Sequence, residues 1–239
     1  MPAALLTVLA ACFGAALGVL VPRPAYRLSV PPGDPWLGSA PTGVPIRGWL
    51  GPARAGGGWY GPSTPVVALL TAAGCAALAA AAGPVPELAV WMLLVPGLVL
   101  LGTVDRTVQR LPDVLTLPIA AVTALLLGAV ALVPGAMGSW PTALLGGLAL
   151  GGGYFVLFLI NPNGMGFGDV KLATGLGVAL GWYGWGVLLL GAFAGFLYGG
   201  VYGAVLILRR RAGRKTVMPF GPFMVAGAFT GLLLGGFGA

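Results

Sequence analysis

Long apolar runs separated by short polar stretches set the rhythm of this chain. They fall at about residues 3–21, 65–83, 88–104, 114–133, 141–160, 171–182, 187–208 and 219–238. Most approach or exceed the roughly 20 apolar residues that a bilayer-spanning helix needs. None alternates apolar and polar residues as a membrane-barrel strand would. Inside lipid a helix satisfies its own backbone groups, so helices are the remaining solution. The pattern predicts an all-α polytopic integral membrane protein, a bundle of about eight transmembrane helices forming a single membrane domain over residues 1–239. The first run lacks a basic leader and a good cleavage site, so it is expected to stay as a helix rather than leave as a signal peptide.

Composition agrees: 58% of the residues are hydrophobic and only 7% are charged, whereas a soluble domain carries about a quarter charged residues. Mean hydropathy is +0.99. The longest polar segment, 22–64, is rich in Pro and Gly (VPPGDPWLG, GPARAGGGWYGPS) and predicts a loop with little regular helix. Trp36, Trp49 and Trp59 suit an interfacial patch there.

The net charge of +7 has a topological use. With eight spans, all twelve basic residues fall on alternate connections. Arg23, Arg27, Arg47 and Arg54 lie in 22–64, and Arg106 and Arg110 in 105–113. Lys171 borders 161–170, and Arg209, Arg210, Arg211, Arg214 and Lys215 lie in 209–218. The positive-inside rule puts these connections in the cytoplasm and both termini outside. Sparse charge between greasy segments does not suit nucleic acid; the expected surroundings are the lipid bilayer of a plasma membrane. Nothing in the sequence sets an oligomeric state.

The chain has no histidine, which excludes a His-metal site and a Ser-His-Asp triad. Cys12 and Cys75 lie in apolar runs and read as small buried side chains; no metal site is expected. Of the five acids, Asp34 and Glu87 read as solvated loop residues. Asp105, Asp113 and Asp169 lie at the cytoplasmic membrane edge on this topology. Asp105 closes the third span, Asp113 precedes the fourth, and Asp169 stands just before the sixth. A carboxylate at that depth is costly and needs a reason. Asp113 follows Leu-Pro at a helix start, where an acid caps free N–H groups. Asp105 could pair with Arg106 or Arg110. Asp169 could cap its helix or pair with Lys171.

Asp105 and Asp169 also meet the topological condition for acid–base chemistry. Two carboxylates held close cannot both ionise, so one keeps a proton while the other activates water. Gly164, Gly166 and Gly168 frame Asp169 in GMGFGDVKL. Without Cβ atoms they allow unusual backbone angles and close approach, so an extended substrate could lie beside the aspartate. The stretch lacks the GKS/GKT ending of a phosphate loop. Two other classes stay open at this point: a proton-coupled membrane transporter using the same aspartates, and a non-catalytic membrane scaffold.

Three stretches stand out together. The first is Asp105-Arg-Thr-Val-Gln-Arg-Leu-Pro112-Asp113-Val-Leu-Thr116-Leu-Pro118. The second, Gly164 to Leu172, fits G-x-G-x-G-D-x-K-L. The third is Pro219-Phe220-Gly221-Pro222-Phe223. With them the chain resembles the prepilin peptidase (type IV leader peptidase) family of GxGD-type membrane aspartic proteases. The resemblance is best over 88–239. It implies that Asp105 and Asp169 are catalytic. It implies positioning or structural roles for Asp113, Pro112, Thr116, Pro118, Lys171 and the three glycines. No cofactor is implied for peptidase chemistry. The implied partners are type IV prepilin or pseudopilin substrates with short basic leaders, cleaved after glycine. Many family members carry two CxxC pairs after the first helix; this chain has no cysteine between 22 and 64. Peptidase activity without N-methylation is therefore expected.

Overall fold

A computed structural model describes residues 2–162, 164–209 and 218–237. Of the basic residues in the charge map, Arg210, Arg211, Arg214 and Lys215 lie outside the described residues. The chain divides into two compact units: residues 1–84 with 88–110, and residues 85–87 with 111–239.

The first unit holds α1 (Ala3–Gly18), α2 (Pro22–Leu28), α3 (Thr64–Ala82) and α4 (Leu88–Val108). Gly14 and Gly18 let α1 lie directly on α3. A methyl at Gly14 would come within 2.7 Å of the Thr71 carbonyl oxygen, and one at Gly18 within 2.7 Å of the Ala68 Cα. Small residues bring membrane helices to such close contact, where dispersion replaces the missing hydrophobic drive. α1 and α2 are bent by 41° at the break between them. Pro22 starts α2 at a position where its missing N–H costs nothing.

Segment 22–64 is more ordered than its composition predicts. Besides α2 it contains a hairpin, β1 (Arg54–Ala55) against β2 (Gly58–Trp59). Gly56 and Gly57 turn it with φ of +57° and +80°, the two left-handed positions that a tight hairpin turn demands. Ala40, Ile46, Ala53 and Tyr60 form a small core, with Tyr26 packed against it. Arg23 organises the rest. Its Nη1 donates to the carbonyls of Arg47 (2.7 Å) and Leu50 (2.9 Å), and its Nη2 to that of Pro52 (3.4 Å). Arg27 Nη1 donates to the Gly48 carbonyl at 2.8 Å, and Arg110 Nη1 to that of Pro31 at 3.0 Å. Glycine and proline content foretold that most of the segment past α2 is not helical, but not these side-chain donors to the loop's backbone.

The second unit holds α5 (Asp113–Val130), α6 (Trp140–Ile160), α7 (Phe167–Gly181), α8 (Trp185–Leu208) and α9 (Gly221–Gly231), the last continued by a π turn (Leu232–Gly236). α7 packs against α5, α6, α8 and α9 and is buried along most of its length. Glycines make this possible. A methyl at Gly146 of α6 would lie 2.6 Å from the Gly177 carbonyl oxygen, and one at Gly181 2.7 Å from that of Thr142. Gly231 of α9 meets Gly191 of α8 equally closely, at 2.8 Å from its Cα. The Phe220 ring of the PFGPF stretch lies tilted against those of Tyr154 and Phe196.

All eight apolar runs are helical. By length and apolarity, α3, α4, α5, α6 and α8 can cross a membrane, and α1 with α2 makes a sixth if the bent pair is one span. The 15 residues of α7 cover only about 22 Å of a hydrocarbon core about 30 Å thick. Two ends bearing on the aspartates differ from the hydropathy reading. α4 runs on to Val108 instead of stopping at 104, and α7 begins at Phe167 rather than 171. Hydropathy marks where lipid-compatible side chains stop; the helix stops where its backbone loses its partners.

The larger correction is Glu87. Read as a solvated loop acid, it is fully buried. Its Oε1 accepts from the Met137 backbone N–H at 3.0 Å and from Trp182 Nε1 at 3.3 Å. A buried carboxylate must find donors, and these come from residues 50 and 95 positions further along the chain. No local pattern announces them.

Candidate active site

Asp105 and Asp169 are both buried, at 3% and 8% exposure. Their settings are electrostatic opposites. The longer α4 puts Asp105 inside its last turn rather than at its end. Leu101, Val104 and Asp105 share the buried face, while Arg106 and Thr107 are exposed, as spacing of three and four dictates. Past it, Gln109 turns with φ of +51° and its N–H donates to the Asp105 carbonyl at 2.7 Å. The C-terminal end of a helix carries partial negative charge and favours cations. A buried anionic acid there works against the helix dipole.

Asp169 is the third residue of α7. Its backbone N–H donates to the Gly166 carbonyl at 3.0 Å, and its Oδ2 accepts the Gly166 N–H at 3.0 Å. This reciprocal pair closes the first turn, where partial positive charge favours an anion. The possible cap at Asp169 is real, and the burial beyond it exceeds what a cap requires.

The glycines divide the work differently from the sequence reading. None of Gly164, Gly166 and Gly168 has a left-handed φ, so unusual backbone angles are not their purpose. Close approach is. A methyl at Gly164 would strike the Asn161 side chain, and one at Gly168 would lie 2.7 Å from Leu111 Cβ. At Gly166 the nearest atom to a methyl would be Asp169 Oδ2, at an ordinary 3.5 Å.

Gly168 therefore seats Leu111, which brings the end of the first motif onto the start of the second. Two further contacts fasten them. Lys171 Nζ pairs with Asp113 Oδ1 at 2.6 Å, and lies 5.0 Å from the centre of the Phe167 ring. Gly175 lies against Ala120 of α5. Asp113 was expected to cap α5. It makes no capping hydrogen bond there, because its exposed carboxylate reaches across to Lys171; a pair between Lys171 and Asp169 was one of the two alternatives the sequence left open. Pro112 is the N-cap residue of α5. Its carbonyl accepts from the Leu115 and Thr116 N–H groups and, at 3.4 Å, from the buried Thr116 hydroxyl. Pro118 lies within α5. Thus Leu111, Asp113, Gly168, Asp169 and Lys171 assemble within the second unit, while Asp105 belongs to the first. Among the described residues, no three His, Cys, Asp or Glu side chains gather to hold a metal ion.

Known proteins resemble this chain over the region that holds the site. A model of the type IV leader peptidase family matches residues 92–208. A prepilin leader peptidase/N-methyltransferase of Aeromonas hydrophila is 33% identical over 230 residues, which cover 90% of this chain and 76% of that protein. The chain belongs to the type IV leader peptidase family. Proteins of the same description from Pseudomonas aeruginosa and Stutzerimonas stutzeri are 35% and 34% identical over 149 and 145 residues, 60% of this chain in each case. The matched chain spans about half the length of these two relatives, 49% of each. No solved structure matches the chain. The matched family region includes both aspartates, Lys171 and the whole of the Leu111–Gly168 contact.

Two site features escape sequence reasoning. The Lys171–Asp113 pair joins residues 58 positions apart; a lone lysine beside an acid in an apolar chain was the only hint. Leu111 against Gly168 had a fainter one, since a helix-opening glycine costs order and must be repaid by proximity.

Proposed function

We propose that this protein is a membrane aspartic endopeptidase that removes the short basic leader of type IV prepilin-like proteins, cutting after glycine at the cytoplasmic face of the plasma membrane. The observation that carries the proposal is that two aspartates, both within the region matched by the family model, are buried at helix ends of opposite polarity.

The roles follow from that polarity. Asp169, at the positive end of α7, is the ionised partner. It takes a proton from water, and the resulting hydroxide attacks the carbonyl carbon of the leader glycine itself. Asp105, at the negative end of α4, carries the shared proton and delivers it to the carbonyl oxygen. Collapse of the gem-diol intermediate breaks the C–N bond: Asp169 gives its proton to the departing amine, and one hydroxyl returns its proton to Asp105 as the carboxyl product forms. Gly166 leaves room for an extended peptide beside Asp169, and the Asp113–Lys171 pair holds that turn in register.

Eight passes complete the topology, with α7 and α9 crossing under the cover of their neighbours and the basic connections inside. The substrate's hydrophobic helix then stays in the bilayer while its basic leader meets the site. Peptidase activity stands alone in this proposal, without N-methylation, because segment 22–64 lacks the cysteines carried by many family members. Co-expression with prepilin substrates tests it by gel-shift cleavage. Asp105→Asn and Asp169→Asn each abolish processing while the protein stays in the membrane; normal processing by Asp169→Asn refutes the mechanism. Mass spectrometry of the product N-terminus reports methylation.

A further inference from the structure

The lobe between α1 and α3 leaves large apolar side chains in the open. Trp36 is 50% exposed, Trp49 40% and Leu50 63%, although the lobe buries only a small core of its own. They are not scattered. The Trp36 and Trp49 rings meet edge to face with centroids 5.0 Å apart, and Leu50 follows Trp49 in sequence. Cationic groups are built into the same patch. The Arg27 guanidinium lies 4.0 Å from the centre of the Trp49 ring and is held there by its bond to the Gly48 carbonyl. Arg47 is exposed two residues earlier. Arg54 over an exposed Trp59 repeats the pairing, at 5.5 Å. Segment 22–64 has four arginines against the single acid Asp34, a net +3.

We infer that this lobe docks through its Trp36–Trp49 face onto anionic phospholipid headgroups of the leaflet from which α1 and α3 emerge. Three arguments select that occupant. Tryptophan is the side chain of the headgroup layer, with an apolar body and a polar N–H. Arginine beside it complements lipid phosphate and the negative surface potential of an anionic leaflet. The third is position: the lobe is covalently tied to apolar helices at both ends, so it faces that surface at high effective concentration. A basic peptide leader would be repelled by the same face. The inference concerns lipid contact alone and stands whether or not the aspartates cut prepilins.

The test uses the full chain in nanodiscs, with Cys12→Ala and a nitroxide label at Leu50→Cys. Leu50 is a surface side chain, and only its backbone carbonyl is used by Arg23, so the substitution spares the lobe's core. Power-saturation spectroscopy compares collisions of the label with oxygen and with a water-soluble nickel chelate. Discs containing phosphatidylglycerol should show a loss of nickel collisions and a gain of oxygen collisions relative to pure phosphatidylcholine. Adding Arg47→Glu and Arg54→Glu, or raising salt, should reverse the change. A label that stays open to nickel in both lipids overturns the inference. Equal immersion in both lipids also overturns it, because the anionic headgroup would then have no part.

Discussion

Replacing Gly168 by alanine tests the central geometric claim of the site. Gly168 is the second residue of α7, and alanine is the better helix former by about 1 kcal/mol. Propensity alone therefore predicts a stabler protein. The structure predicts the opposite, because the new methyl would lie 2.7 Å from Leu111 Cβ and 3.2 Å from its carbonyl oxygen. Two carbons need roughly 3.5–4.0 Å, so the start of α7 must move by about 1 Å. Overpacking of this kind costs about 1–3 kcal/mol, leaving a net loss of about 0–2 kcal/mol once helix propensity is set against it. The catalytic effect should be larger. Asp169 is the next residue, and a misplacement of about 1 Å costs on the order of 100-fold in rate. Cleavage of a prepilin substrate in detergent, alongside thermal unfolding, measures both. Leu111→Gly removes the opposing Cβ and should recover part of the lost rate in the double variant. A Gly168→Ala protein that melts higher and cuts at the wild-type rate would refute the reasoning.

Further expectations rest on other contacts. Gly166→Ala should melt like the wild type, since its methyl meets only Asp169 Oδ2 at 3.5 Å. Glu87→Ala should lose about 2–4 kcal/mol, because it strands the Trp182 indole and the Met137 N–H without an acceptor; Glu87→Gln keeps an Oε1 acceptor and should lose less, as read by unfolding followed through tryptophan fluorescence. Asp113→Asn should keep much of the cleavage and shift stability by less than about 1 kcal/mol, since the Lys171 pair is 62% exposed on the aspartate side. Arg23→Ala should expose the 29–63 lobe to limited proteolysis while leaving the protein in the membrane, because three loop carbonyls lose their donor.

Membrane class and the position of each long apolar helix were legible in the residues themselves, because the cost of placing a side chain in lipid is a local property. Asp105 and Asp169 stood out for the same reason: an acid in so apolar a chain is expensive wherever it lies. The capping bond of Asp169 was within reach too, since both of its ends lie within four residues. Other features needed the folded chain. α4 and α7 end where backbone partners end, so Asp105 lies within a helix turn and Asp169 within a first turn. Asp113 abandons its cap for a lysine 58 residues away. Glu87 is buried by an indole and a backbone amide from distant segments, and Arg23 folds a loop that composition alone reads as irregular. The sequence by itself determined which groups are costly and where helices can form. Only the tertiary structure decided which partners offset that cost, because those partners arrive from elsewhere in the chain and leave no local mark.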